Sequence, residues 1–121
     1  MKRLDVLTKF YELWDYALIV VSGKNVPNYL RYSVGEEILK ELKTVGWNLK
    51  YSNIPTITNF ARIKAVKASD ESFQQVKFDF DLLMSYKNIS QSREHLYALE
   101  AEFGKMLGGW RNYLTSNGTR H

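Results

Sequence analysis

Apolar residues recur along this chain at alternating steps of three and four, the repeat that places side chains on one face of a helix. In the first stretch Leu4, Leu7, Tyr11, Trp14, Leu18 and Val21 keep this spacing. The pattern predicts a helix over about 3–23, stopping near Ser22-Gly23, where glycine supplies a helix end. Lys24 to Asn28 then reads as a connector, because Pro27 cannot extend a helix. Ser33-Val-Gly-Glu36 has the form of a capping box and predicts the start of a second helix over about 33–52. Val34, Ile38, Leu42, Val45 and Leu49 form its buried face, and Pro55 disfavours helix at Ile54.

A third helix is expected over about 56–87, with Phe60, Ile63, Val66, Phe73, Val76, Phe80 and Leu83 sharing a broad apolar face. Ser69-Asp-Glu-Ser72 is poor helix interior and good helix start, so a kink or break is expected there. Asn88 to Ser90 connects to a fourth helix over about 91–115, with Ser90 or Ser92 as N-cap, Glu94 in the first turn and a polar tail over 116–121. Its stripe is Leu96, Leu99, Phe103, Met106, Trp110 and Tyr113. Gly104, Gly108 and Gly109 interrupt that helix, each at a cost of about 1 kcal/mol relative to alanine. Gly104 and Gly108 share a face one turn apart, which implies close backbone approach, either inside one bundle or between protomers. No stretch alternates with period two. The expected fold is all-α, a single-domain up-down-up-down four-helix bundle, with Trp14, Leu42, Phe80, Phe103 and Trp110 largely buried.

Composition narrows the function more than the fold. The 121 residues are 45% apolar and include no cysteine, which removes disulfide and thiolate chemistry. Charged residues interrupt the apolar positions after the basic start, and the longest apolar run, Ala17 to Val21, is far too short to span a bilayer. A soluble, cytoplasmic chain is expected. Asp79 and Asp81, two apart on a helix, point to different sides and make no carboxylate pair. His95 and His121 lack a second histidine at metal spacing, and the Glu-x-x-His signature of di-iron bundles is absent. The glycines form no phosphate loop, and Ser116 and Thr119 have no base beside them. These absences point to a non-enzyme without metal or cofactor.

What remains is surface chemistry. The net charge is +4, which makes polyanions plausible partners. Arg62, Lys64, Lys67, Arg93 and Arg111 are the candidate residues for contact with nucleic acid or a protein bound to it, and Lys64 and Lys67 have the spacing to act together. Arg31 and Lys77 add to the basic content, and Tyr29, Tyr32 and Tyr51 are candidates for stacking on bases.

Three segments carry a resemblance. Phe103-Gly-Lys-Met-Leu-Gly-Gly-Trp110 resembles the last-helix signature of the accessory variability determinant (Avd) proteins of diversity-generating retroelements. Val26-Pro-Asn-Tyr-Leu-Arg-Tyr-Ser-Val-Gly-Glu-Glu-Ile38 is similar to that family's pattern before helix two. Phe73-Gln-Gln-Val-Lys-Phe-Asp-Phe-Asp-Leu-Leu83, with Ile89-Ser90, is similar to its helix three and the turn after it. The likeness covers nearly the whole chain in order, with Asp81 standing where a basic residue is expected. It implies a barrel-like homopentamer of four-helix bundles that binds the element's reverse transcriptase and template RNA or its DNA copy. Such a chain is a non-catalytic accessory protein of mutagenic retrohoming. The proteins encoded in ribosomal RNA intervening sequences share the bundle class, but carry a helix two rich in Arg-Arg-Ala and Ile-Pro where this chain reads Glu36-Glu-Ile-Leu-Lys-Glu-Leu-Lys43. They supply the alternative, a scaffold that contacts only proteins.

Overall fold

The computed structural model describes residues 3–86 and 93–119. The expected connector at 88–90, the N-cap at Ser90 or Ser92, and His121 lie outside the described residues. Helix α1 is Arg3–Val21. Helix α2 opens as Asn28–Leu30, passes through a π-helical turn at Arg31–Gly35 and continues as Glu36–Tyr51. Helix α3 is Asn59–Met84 and α4 is Arg93–Thr119. Among the described residues there is no strand. Each helix packs on the next, α4 returns to α1, and the α1–α2 seam is the thinnest.

Cross-helix pairs fix the directions. Phe10 meets Phe103 while Tyr16 meets His95. Asp70 meets Arg111 while Asp81 meets Tyr97. Phe10 lies against Gly46 while Val21 lies against Gly35. In each case rising numbers on one helix meet falling numbers on its neighbour, which is the up-down-up-down arrangement of a four-helix bundle.

The core is continuous through all four helices. Leu42, Phe80, Phe103 and Trp110 are buried as expected, but Trp14 is only half-buried. The reason is a rotation of α1. Its core face is Val6, Phe10, Leu13, Ala17 and Val20, so Tyr11 and Leu18 of the expected stripe are exposed and Leu7 is half-buried. Both sets step by three and four, so period alone does not choose between them. In α4 the same ambiguity gives Leu96, Leu99, Phe103, Leu107, Trp110 and Leu114 as the buried row, with Met106 half-buried and Tyr113 exposed. That row carries the helix to Thr119, into the expected polar tail.

The capping box at Ser33 does not form. Helix α2 begins five residues earlier, led by Pro27 at φ −67° and ψ 155°. A proline there gives up an N–H that has no partner in a first turn. The Ser33 hydroxyl instead donates back to the Tyr29 carbonyl. Helix α3 starts at Asn59 rather than Thr56, because Thr58 caps it by accepting from the Ala61 N–H at 3.1 Å. It is continuous through Ser69–Ser72, where a kink was expected. Ser69 is buried and its hydroxyl donates 2.8 Å across to the Val45 carbonyl of α2, so tertiary packing uses the polar group that would otherwise compete with the helix.

The glycines that admit close approach are in α2. A Cβ on Gly46 would lie 2.5 Å from Phe10 Cζ, and one on Gly35 would lie 2.7 Å from Val21 Cγ1. On α4, Gly104 meets only the edge of Phe73, at 3.2 Å from such a Cβ, while Gly108 faces open space. The Gly104 contact is therefore packing within one bundle.

One carboxylate lies inside. Glu100 of α4 is only 7% exposed, and burial, with Asp81 nearby and Lys77 opposing, pushes its pKa up from 4.5 to about 7. The folded state thus holds this proton more tightly than the unfolded chain does. The linked stability is fully present below about pH 4.5 and is lost as pH rises to about 7, a cost of about 3 kcal/mol at most. Glu100→Gln is expected to melt several degrees above the parent at pH 8 and close to it at pH 4.5. Thermal unfolding at both pH values checks this, and an equal difference at the two would contradict it.

Candidate functional site

The structure sorts the five basic residues into two groups. Arg62 is half-buried, and its guanidinium donates to the carbonyls of Ser52 and Ile54, each at 3.0 Å, and of Ile57 at 3.5 Å. Arg93 donates to the Met84 carbonyl at the end of α3. Arg111 pairs with Asp70 at 2.6 Å and ties α4 to α3. Arg31 repeats the device, donating to the carbonyls of Gly23 at 3.2 Å and Val26 at 3.4 Å. An arginine in the opening turns of each of α2, α3 and α4 thus reaches back to main-chain carbonyls of the preceding helix or turn. Arg62, Arg93 and Arg111 make hydrogen bonds within the bundle, while Arg93 is exposed and the Arg111 side chain is 40% exposed.

Lys64 and Lys67 differ. Both are exposed, and neither makes an ion pair with a described residue. They lie on the outer face of α3 with Phe60, at steps of four and three, so the three side chains form one row. Phe60 is 78% exposed, although its spacing to Ile63 had marked it for the core. An exposed ring beside two free ammonium groups can stack on a base while the lysines meet phosphates. The signal that marks Phe60 is its offset from Lys64, four residues, which is the same helical row.

Antiparallel packing brings more lysine to this end of the bundle. Lys50 lies next to the end of α2, and Lys64 and Lys67 lie in the first third of α3. Lys43 and Lys50 are exposed and flank Trp47, which is 64% exposed. Toward the other end, Asp79 is pushed above the usual carboxylate range by burial and by Glu37 and Glu41. The bundle is therefore basic at one end and acidic toward the other. Tyr29 and Tyr32 are exposed in the opening turns of α2, away from the lysine row, and Tyr51 sits half-buried with its ring 6.2 Å from that of Trp47.

A second surface runs along the α1–α2 seam. Leu7, Tyr11 and Trp14 form one wall, and Gly46 and Trp47 the other, of a groove of about 220 Å³ with Phe10 at its floor and Lys43 and Lys50 on its rim. The wall on α1 is the displaced heptad stripe. Its strict three-four repeat is the seam that accepts another helix in a coiled coil.

The ring of His95 packs edge-on against Tyr16 at 4.5 Å. Among the described residues no cluster of three or more His, Cys, Asp or Glu is placed to hold a metal, and no helix is long and apolar enough to cross a membrane. Comparison with protein-family models, characterised proteins and solved structures finds no match to the chain.

Proposed function

We propose that this chain is a non-catalytic accessory protein of the Avd type, which binds a retroelement reverse transcriptase and its template RNA or cDNA as a ring of identical bundles. The observation that carries this reading is the row of Phe60, Lys64 and Lys67, unpaired among described residues and exposed at the lysine-rich end. The segments that carry the resemblance also have specific work in the fold, which gives their residue types a physical reason. Trp110 donates 3.0 Å to the Ser52 hydroxyl inside the core, and Gly35 receives Val21.

Ring formation supplies the missing field. One copy at +4 attracts a polyanion weakly, whereas five copies carry about +20. The apolar α1–α2 groove supports self-association, since exposed aromatic patches on soluble proteins mark contact sites. Tyr11 and Trp47 are 54% and 64% exposed on opposite walls of it. Changing both to glutamate is expected to reduce the particle from the ring to the single chain, with the helical circular-dichroism signal retained. Light scattering checks this, and an unchanged mass would remove the groove from the protomer contact.

The same groove also favours the second reading, a scaffold that contacts only proteins. Genomic context separates the two. A reverse-transcriptase gene with paired template and variable repeats beside the coding sequence is the expected finding, and its absence favours the scaffold.

A further inference from the structure

Between α3 and α4 lies a cleft of about 400 Å³ that the basic row does not use. Glu100 is its buried wall. The carboxylate is more than nine-tenths buried, and its Oε2 has no hydrogen-bond partner among the described residues. Such an orphaned acceptor is costly in a folded protein and calls for a donor. The other acids of the cleft are already engaged. Asp70 holds Arg111 at 2.6 Å, and Asp81, beside the cleft, accepts from the Tyr97 hydroxyl at 3.2 Å. Phe73, Ala101 and Gly104 line the rest of the cleft with apolar surface, and Gln74 and Tyr97 add polar groups at its edge.

We infer that this cleft is a binding site for one alkylammonium or alkylguanidinium group, with the Glu100 carboxylate as its counter-charge. A metal ion fits poorly, because hard cations take several oxygen ligands and no cluster of three or more His, Cys, Asp or Glu among the described residues surrounds Glu100. A cation with N–H donors on an alkyl arm needs only the one carboxylate and apolar walls for its stem. The source is a lysine or arginine side chain of a partner protein or a free polyamine, which share this chemistry. Lys77 is the internal competitor. Its ammonium sits 5.2 Å from the centre of the Phe73 ring at the same cleft.

Charge state gates the site. Lys77 and Asp81 face Glu100 from α3, Tyr97 shares its helix, and the Lys9–Glu102 pair lies on the α1 side of α4. With the Glu100 carboxyl titrating about 7, the cation binds the ionised form, so affinity rises about tenfold from pH 6 to pH 8.

The test is a titration of the full chain with n-butylguanidinium, n-butylammonium and spermidine, read from the carboxyl carbon resonance of Glu100 by NMR. The expected result is a saturable shift at pH 8 that weakens about tenfold at pH 6 and a lowered apparent pKa of Glu100 in the presence of probe. Glu100→Gln is expected to abolish binding, and Lys77→Met to tighten it. Similar affinity for all three probes assigns the site to a protein side chain, and a clear preference for spermidine assigns it to a free polyamine. No response to any probe overturns the proposal, as does Glu100→Gln binding as tightly as the parent. A response confined to Lys77→Met also overturns it, because Lys77 is then the resident cation.

Discussion

Exchanging Lys64 and Lys67 for glutamate is expected to weaken RNA and DNA binding by at least tenfold at about 0.1 M salt, with the fold intact. Each phosphate contact contributes about 0.9 to the slope of log affinity against log salt on duplex DNA and about 0.7 on single strands. Removing two contacts from each protomer that touches the strand lowers that slope by roughly two per protomer on duplex, and less on a single strand. Reversing the charges adds repulsion to the loss. Stability is spared because both side chains are exposed and pair with no described residue, so the changes stay within about 0.5 kcal/mol. Fluorescence anisotropy with labelled RNA across a salt series measures the slope, and urea unfolding measures the stability. Arg62→Ala is the informative contrast. It leaves the carbonyls of Ser52 and Ile54 without their donor, so it is expected to cost about 1–3 kcal/mol in stability, with little direct effect on the salt slope.

Phe103→Ala is expected to cost about 3–5 kcal/mol and to lower the melting temperature by more than about 10 °C. Phe103 is fully buried, with the ring of Phe73 edge-on at 5.0 Å and that of Phe10 at 5.9 Å. It joins α1, α3 and α4 at one point. The cavity has little means of refilling, because Phe73 is already against Gly104 and Phe10 against Gly46. Tyr113→Ala serves as the control. Its ring stacks on Trp110 at 5.6 Å but is 52% exposed, so its removal is expected to cost less than about 1 kcal/mol. Calorimetry that finds the two variants equally stable would place the core elsewhere.

The four helices were legible because each has a long three-four repeat, and the bundle follows from four such stretches with short connectors. The register of α1 was not, since Leu7-Tyr11-Trp14-Leu18 and Val6-Phe10-Leu13-Ala17 satisfy the same repeat one residue apart. Only the partners choose. Phe10 fits against Gly46 and Phe103, whereas Trp14 and Tyr11 have no comparable hole. The glycines of α4 breach helix propensity openly in the sequence. Gly35 and Gly46 matter more for packing, and their role depends on Val21 and Phe10 of α1, which sequence spacing does not place beside them. Among the basic residues, spacing alone separated Lys64 and Lys67 as a pair. It did not reveal that Arg31, Arg62 and Arg93 each reach back to a carbonyl, because those acceptors are main-chain atoms that residue identity does not show. Phe60 was misread for a related reason. A phenylalanine on an amphipathic helix usually turns inward, but Phe60 lies in the first turn of α3 and the buried positions of that helix begin at Ala65 and Val66.

The central claim is that a ring of these bundles, rather than a single chain, binds nucleic acid through the lysine row of α3. Size-exclusion chromatography with light scattering, run on the parent and on the Lys64→Glu, Lys67→Glu variant with and without RNA, tests it most directly. Five copies of 14.2 kDa predict a particle of about 71 kDa for both proteins. RNA is expected to co-elute with the parent and to separate from the variant. A mass of one chain at every concentration, or RNA retained equally by the variant, would contradict the account.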